Sequence, residues 1–173
     1  MPAPLEGVPM SVQKMTTLAF FTTLSLAIFA IESAIPPLVP IPGIKLGLAN
    51  IITLILLAHF TFRDALWVLL ARILLSTLLF GQALSLLYSL AGGIFSLLVM
   101  AFVMRLLRKK TLFLTGAMGG LAHNTGQLLT ALVITAPPGV LSSLPFLIPG
   151  GILTGLFTGL CAGFLGKYLS PHL

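Results

Sequence analysis

Charged residues are scarce in this chain, and acids are the scarcest. Only 7% of the 173 residues are charged, with three acids against nine lysines and arginines. A soluble domain has about a quarter of its residues charged because it must cover its surface with them. With 58% hydrophobic residues and a mean hydropathy of +1.15, the composition excludes an ordinary soluble domain and predicts an integral membrane protein.

Several functional signatures are also missing. The single Cys161 excludes an internal disulfide, and neither a Gly-x-x-x-x-Gly-Lys-Ser/Thr phosphate loop nor a Gly-x-Ser-x-Gly motif occurs. No histidine has a second ligand at zinc-binding spacing. The sequence pI of about 10.1 reflects the shortage of acids, and no basic stripe with interleaved aromatics accompanies it. We therefore expect no enzyme, no cofactor, no metal site and no nucleic-acid partner.

Six hydrophobic runs predict an all-α bundle of six transmembrane helices. A helix needs about 20 apolar residues to cross the hydrocarbon, and the second and third runs are shorter. The runs are continuous and leucine-rich, without the alternation of a membrane barrel. The predicted spans are about 15–35, 46–60, 65–80, 84–104, 112–134 and 144–165.

The basic residues predict the orientation of this bundle. With both termini inside, the cytoplasmic side collects Lys14, Arg63, the cluster at 105–110 and Lys167, and only Lys45 lies outside. We expect a multi-pass protein of the cytoplasmic (inner) membrane. Its organisation is predicted as an N-terminal tail at 1–14, one membrane domain at 15–168 with an extracytoplasmic proline-rich loop at 36–45, and a C-terminal tail at 169–173.

The segment from Glu32 to Asn50 is the most unusual part of the chain. It places a carboxylate late in the first span and an amide early in the second, with four prolines and Lys45 between them. Irregular backbone and charge survive at membrane depth only where protein or a water-filled cavity satisfies them. The segment is therefore predicted to form the lid and first wall of an outward-facing site.

Polar side chains within the spans are the other site candidates, because they are expensive in a membrane. Glu32 and Arg72 either form a structural pair or contact a ligand, and together with Lys45 they leave one excess positive charge, which favours an anionic or polar ligand. The polar cluster of the fifth span either binds substrate or joins helices. The predicted substrate-binding residues are Glu32, Lys45, Asn50, Arg72, Tyr88, His123, Asn124 and Gln127.

Small residues recur at four-residue spacing in several spans. Such residues allow helix backbones to approach closely in lipid. The most regular series, in the last span, is Gly151, Gly155, Gly159 and Gly163. These series either pack the bundle internally or dock a partner protein. The predicted docking surface for a partner is Ala19, Thr23 and Ala27 of the first span.

Several of these motifs carry a resemblance to a known family. They are the string Pro42-Gly-Ile-Lys-Leu-Gly-Leu-Ala-Asn50, Glu-Ser-x-Ile-Pro-Pro at 32–37, Arg72, Ser-Leu-Ala-Gly-Gly at 89–93 and Ala-His-Asn-x-Gly-Gln at 122–127. Together these motifs resemble the Gx transporter family. That family is also labelled heptaprenyl diphosphate synthase component I. Its six-helix layout is similar to the S components of energy-coupling factor transporters, which bind a vitamin-like solute and work with a membrane T component and cytoplasmic ATPases.

Two functions follow as expectations. The first is a substrate-binding subunit for uptake of a small vitamin-like, anionic or polar solute, embedded in the lipid bilayer and driven by separate ATPase partners. The second is a non-catalytic membrane accessory subunit in isoprenoid or quinone metabolism. The family label names a prenyl diphosphate synthase, and catalytic synthases of that kind use Asp-rich motifs to hold magnesium and diphosphate. This chain has a single Asp, so we do not expect it to be the catalytic subunit.

Overall fold

The computed structural model describes residues 11–35, 45–80, 83–107, 111–135 and 144–169. Within these ranges the chain forms six helices and no strand, as the hydrophobic runs predicted. Residues 36–44, most of the proline-rich loop, lie outside the described part. The helices are α1 (Val12–Ser33), α2 (Asn50–His59), α3 (Phe62–Phe80), α4 (Ala83–Leu106), α5 (Leu112–Thr135) and α6 (Leu144–Leu169).

The shortest helix, α2, forms the centre of the bundle. Every residue from Asn50 to Leu57 is buried, and α2 contacts each of the other five helices. A helix that is apolar all round is buried on all sides. The remaining helices pack around α2 in the order α1, α3, α4, α5, α6.

Two helices begin earlier than their hydrophobic runs because polar residues cap them. Ser11 Oγ accepts the Lys14 N–H at 3.2 Å, which starts α1 at Val12. At α3, Thr61 Oγ1 accepts the Asp64 N–H at 3.3 Å, and Asp64 Oδ2 accepts the Thr61 N–H at 3.1 Å. This reciprocal pair is a capping box, and it turns the chain from α2 into α3 within two residues.

Glycines join α5 and α6 at close range. A Cβ built on Gly120 would lie 2.2 Å from the Gly151 carbonyl oxygen, and one on Gly155 would lie 2.4 Å from the Gly116 oxygen. Only glycine permits such contact, as expected for helices packed through small residues. These glycines therefore pack α5 against α6 within the bundle, which is one of the two roles predicted for the small-residue series. Gly163 differs, because a Cβ there would meet nothing within 4 Å.

The helix contacts gather the basic residues at one end of the bundle. Lys14 at the start of α1 forms an ion pair of 2.9 Å with Asp64 at the start of α3. The end of α2 lies against the end of α6, since His59 Nε2 is 3.1 Å from a Cβ built on Gly166. The start of α5 packs against Gly159 of α6. We call this the basic end of the bundle; it carries Lys14, Arg63, Arg105 and Lys167.

Among the described residues, three helices are long and apolar enough to cross a membrane. They are Val12–Ser33, Ala83–Leu106 and Pro145–Tyr168, and α2 is a shorter apolar helix. The helix α3 carries three charged residues and α5 carries the polar cluster at 123–127, which makes both less apolar than their neighbours. The described fold is therefore compatible with a membrane protein.

Candidate functional site

Glu32 caps the central helix. Its Oε1 accepts the Gly47 N–H at 2.6 Å and its Oε2 accepts the Leu48 N–H at 3.0 Å. Gly47 has a φ of 82°, a left-handed conformation that glycine adopts without the usual steric cost. The carboxylate is 4% exposed, so it satisfies two donors that precede α2 and would otherwise be unpaired.

This arrangement gives the carboxylate a role that the sequence did not predict, binding backbone N–H groups. Among the described residues neither Arg72 nor Lys45 forms an ion pair with Glu32, although both interact with it electrostatically. The expected structural pair of Glu32 and Arg72 is therefore absent as a contact. The physical reason is that two aligned backbone N–H groups satisfy both carboxylate oxygens at short range, and such charge-assisted bonds are strong.

Both cations lie against the same aromatic ring. Lys45 Nζ is 3.4 Å from the centroid of the Phe29 ring, and the Arg72 guanidinium carbon is 5.7 Å from it. The Lys45 ammonium also donates to Ser33 Oγ. Ring faces attract cations within about 6 Å. The sequence interpretation missed Phe29, although its spacing of three residues from Glu32 places both on one helix face.

The ionisation of Lys45 responds to this environment. Burial lowers the pKa of its ammonium group to about 8, with Glu32 raising it and Arg72 lowering it further. The ammonium therefore carries its charge below that pH and loses it progressively above.

The polar cluster of α5 reaches the same region. Gln127 is fully buried; its Oε1 accepts the Lys45 N–H at 3.3 Å and its Nε2 lies 2.9 Å from His123 Nε2. Because the amide nitrogen must donate, His123 Nε2 accepts and the ring proton is assigned to Nδ1. A Cβ on Gly47 would lie 2.6 Å from the His123 ring, and one on Gly92 would lie 2.8 Å from Nδ1. The histidine therefore packs between two glycines.

The two asparagines differ in how far they are satisfied. Asn124 Nδ2 donates to the Leu147 carbonyl at 2.7 Å, joining α5 to α6, while its Oδ1 has no partner among the described residues. Asn50 is 2% exposed, and neither its amide nitrogen nor its amide oxygen has a hydrogen-bond partner among the described residues. Its Nδ2 is 3.0 Å from a Cβ built on Gly47. Asn50 therefore lies beside the Glu32 clamp, our name for the Glu32 carboxylate with the Gly47 and Leu48 N–H groups that it binds.

Unpartnered buried polar atoms extend beyond these residues. Arg72 Nε and Ser85 Oγ also lack hydrogen-bond partners in the described part of the chain. A polar group buried without a partner costs about 1 to 3 kcal/mol, so several in one region call for a physical explanation. The sequence interpretation missed Ser85, although it lies four residues before Ser89, next to the recognised Gly92-Gly93 pair.

Tyr88 lies in an apolar cluster that adjoins the α5 polar group. It is 2% exposed and packs with Leu128, Ala131 and Leu147, and the Leu147 carbonyl accepts the Asn124 amide. Its predicted contact with a substrate stays a prediction.

The predicted docking residues of α1, Ala19, Thr23 and Ala27, are all exposed. Thr23 Oγ1 donates to the carbonyl of Ala19 at 3.1 Å. The described residues contain no group of three potential metal ligands.

Comparison with known proteins adds one finding. A family model described as heptaprenyl diphosphate synthase component I matches residues 21–165, which includes every described residue of the site. No curated protein and no solved structure matches the chain.

Proposed function

The chain belongs to the heptaprenyl diphosphate synthase component I family, and we propose, from the charges and polar atoms of the site, that it is a non-catalytic membrane subunit that binds a small anionic or polar solute for uptake. In this proposal the solute enters the site built by Lys45, Arg72, Asn50 and the α5 cluster. Separate partners, a membrane T component and cytoplasmic ATPases, supply the energy in the cytoplasmic membrane.

The observation that carries the proposal is the charge left over at the site. Glu32 is the only acid near the site among the described residues, and its two oxygens are taken by backbone N–H groups. Lys45 and Arg72 both interact electrostatically with Glu32, but its single negative charge balances only one of their two positive charges. An unpaired buried charge costs several kcal/mol, so a solute anion is the natural partner for these cations.

The unpartnered polar atoms support a solute with hydrogen-bonding groups. The Asn50 amide offers two donors and an acceptor, and the Asn124 oxygen offers an acceptor. Binding sites combine a few such groups with apolar walls. Phe29, held beside both cations, supplies an apolar wall for the same solute.

The distribution of carboxylates argues against catalysis of prenyl transfer. A magnesium-diphosphate site needs several carboxylate ligands. Of the three acids in the chain, Glu32 caps α2 and Asp64 caps α3, while Glu6 lies outside the described residues. The family description therefore fits an accessory role, not a catalytic one.

Arg72 provides the direct test. Protein purified from cells in mild detergent is examined by native mass spectrometry for a retained solute, which is identified from its mass. We expect Arg72→Gln to lose the retained species by at least about tenfold, since one charge-assisted contact contributes about 1.5 to 3 kcal/mol. Arg105→Gln, which removes an exposed arginine at the basic end, is the matched control. Equal retention by both variants contradicts the site.

The family description favours one alternative, an accessory subunit of a prenyl diphosphate synthase. It predicts that the chain co-purifies with a prenyl synthase subunit and retains no solute. Affinity purification from membranes, followed by mass spectrometry of the bound proteins, separates the two: ATPase subunits support uptake, and a prenyl synthase supports the accessory role.

A further inference from the structure

A groove lies at the basic end of the bundle, far from the proposed solute site. It is formed by the start of α5 and the end of α6, with the end of α2 closing one side, and has a volume of about 690 Å³. Small-molecule sites have volumes of roughly 300 to 1,000 Å³. The residues that matter most to its chemistry are His59, Thr111, Phe113, Leu160, Phe164 and Lys167.

The lining of this groove changes from polar to apolar along its length. Because α6 ends where α5 begins, His59, Thr111 and Lys167 lie at the outer rim of the bundle. Leu160, one to two turns earlier in α6, lies deeper. The apolar walls remain open to the surroundings, since Phe113, Leu160 and Phe164 are 48%, 48% and 66% exposed. An occupant therefore reaches the groove from the side.

Two glycines of α6 line the groove in different ways. Gly159 packs tightly on α5, since a Cβ there would lie 2.6 Å from the Leu112 carbonyl oxygen. A Cβ on Gly163 would meet nothing within 4 Å, so the contact between the helices ends before this residue and the groove is open at its level. His59 reaches the same level, because its Nε2 lies close to Gly166.

We propose that this groove binds an acidic phospholipid of the adjacent leaflet. The phosphate lies at the rim, where Lys167 supplies a positive charge and His59 and Thr111 supply hydrogen bonds. One acyl chain lies along Phe113, Leu160 and Phe164. Basic pockets between transmembrane helices on the cytoplasmic side bind anionic headgroups in this way.

Charge and polarity together select this occupant. A neutral lipid would not use the Lys167 charge, and a soluble anion would leave the exposed apolar walls unused. The basic residues gathered at this end attract an anionic surface as well. The proposal depends on the chain lying in a bilayer and does not depend on solute binding at the other end.

Lipid titration tests the proposal. Purified, delipidated protein in detergent micelles is mixed with phosphatidylglycerol or phosphatidylcholine, and bound lipid is counted by native mass spectrometry. We expect a preference for phosphatidylglycerol, reduced about fivefold by Lys167→Gln. Gly163→Leu adds a side chain at a position where a Cβ meets nothing within 4 Å, and we expect it to occupy part of the groove and to lower the binding of both lipids.

Arg105→Gln is the control, because it removes one charge from the same end outside the groove. The proposal fails if the two lipids bind equally, if Arg105→Gln has the same effect as Lys167→Gln, or if both groove variants bind like the parent protein. It also fails if glycerol phosphate, which has the charge without acyl chains, competes as well as the lipid. Thermal unfolding of each variant establishes that it is folded.

Discussion

At the scale of single residues, the site combines fully satisfied and unsatisfied groups. Glu32 has both carboxylate oxygens occupied by backbone donors, and Gln127 links Lys45 to His123. Asn50 lies beside them with its buried amide unpaired. The satisfied groups hold the backbone in place, and the unsatisfied ones are available to a ligand.

The Glu32 clamp predicts a stability effect. Glu32→Ala leaves the Gly47 and Leu48 N–H groups without their acceptor, so we expect the free energy of unfolding to fall by about 3 kcal/mol. Glu32→Gln keeps one carbonyl acceptor and is expected to lose less. Chemical denaturation in micelles measures both, and an unchanged stability of the alanine variant would show that the carboxylate does not hold this turn.

Asn50 predicts opposite effects on stability and binding. Asn50→Leu replaces an unpaired buried amide with an apolar side chain of similar size, so we expect the solute-free protein to gain about 1 to 2 kcal/mol. The same variant is expected to lose solute retention. Thermal unfolding and native mass spectrometry are the two measurements. Loss of stability would indicate that the amide is satisfied within the protein and is not reserved for a ligand.

At the scale of helices, the bundle is held together in two ways, by burial of an apolar central helix and by close backbone contact between two others. The helix α2 is apolar on all sides and surrounded by the others, whereas α5 and α6 meet backbone to backbone through glycines. Among the described residues, α1 contacts only α2 and α3. Its Ala19–Ala27 face therefore remains exposed, and its predicted role in docking a partner stays a proposal.

The two ends of the α6 glycine series predict different outcomes for the same change. Gly155→Ala places a Cβ 2.4 Å from the Gly116 oxygen, and since backbone cannot yield as a side chain does, we expect a loss of about 1 to 3 kcal/mol. Gly163→Ala meets open space and is expected to gain up to about 1 kcal/mol from helix propensity. Unfolding of both variants in the same detergent measures the contrast, and equal effects would contradict the packing.

At the scale of the whole molecule, the basic end and the proposed solute site lie at opposite ends of the bundle. The basic end is held together by the ion pair of Lys14 with Asp64, which joins α1 to α3, and by the contact of His59 with Gly166, which joins α2 to α6. The positive-inside rule predicts that the basic end lies in the cytoplasm. In that predicted orientation the proposed solute site opens to the outside.

Cysteine labelling tests that orientation with one helix. Ala83 and Arg105 are both exposed and lie near opposite ends of α4, and Cys161 is first replaced by alanine. We expect a membrane-impermeant maleimide to label Ala83→Cys in intact cells and Arg105→Cys only after permeabilisation. The reverse pattern would place the proposed solute site on the cytoplasmic side.

The sequence by itself determined the helices and the candidate polar residues. Continuous apolar runs separated by prolines and charges fix where helices form, because that information is local. The caps at Ser11 and Thr61 account for the earlier starts of α1 and α3. The helix α2 begins at Asn50 and not at the predicted residue 46, after the turn whose N–H groups Glu32 binds. Only the tertiary structure decided the partners. The structure shows that Glu32 binds backbone N–H groups and not Arg72, and that Tyr88 lies in an apolar cluster. Both contacts depend on how helices that are far apart in sequence approach one another. Hydrophobic patterning does not specify such contacts, because most helix surfaces in this chain are equally apolar.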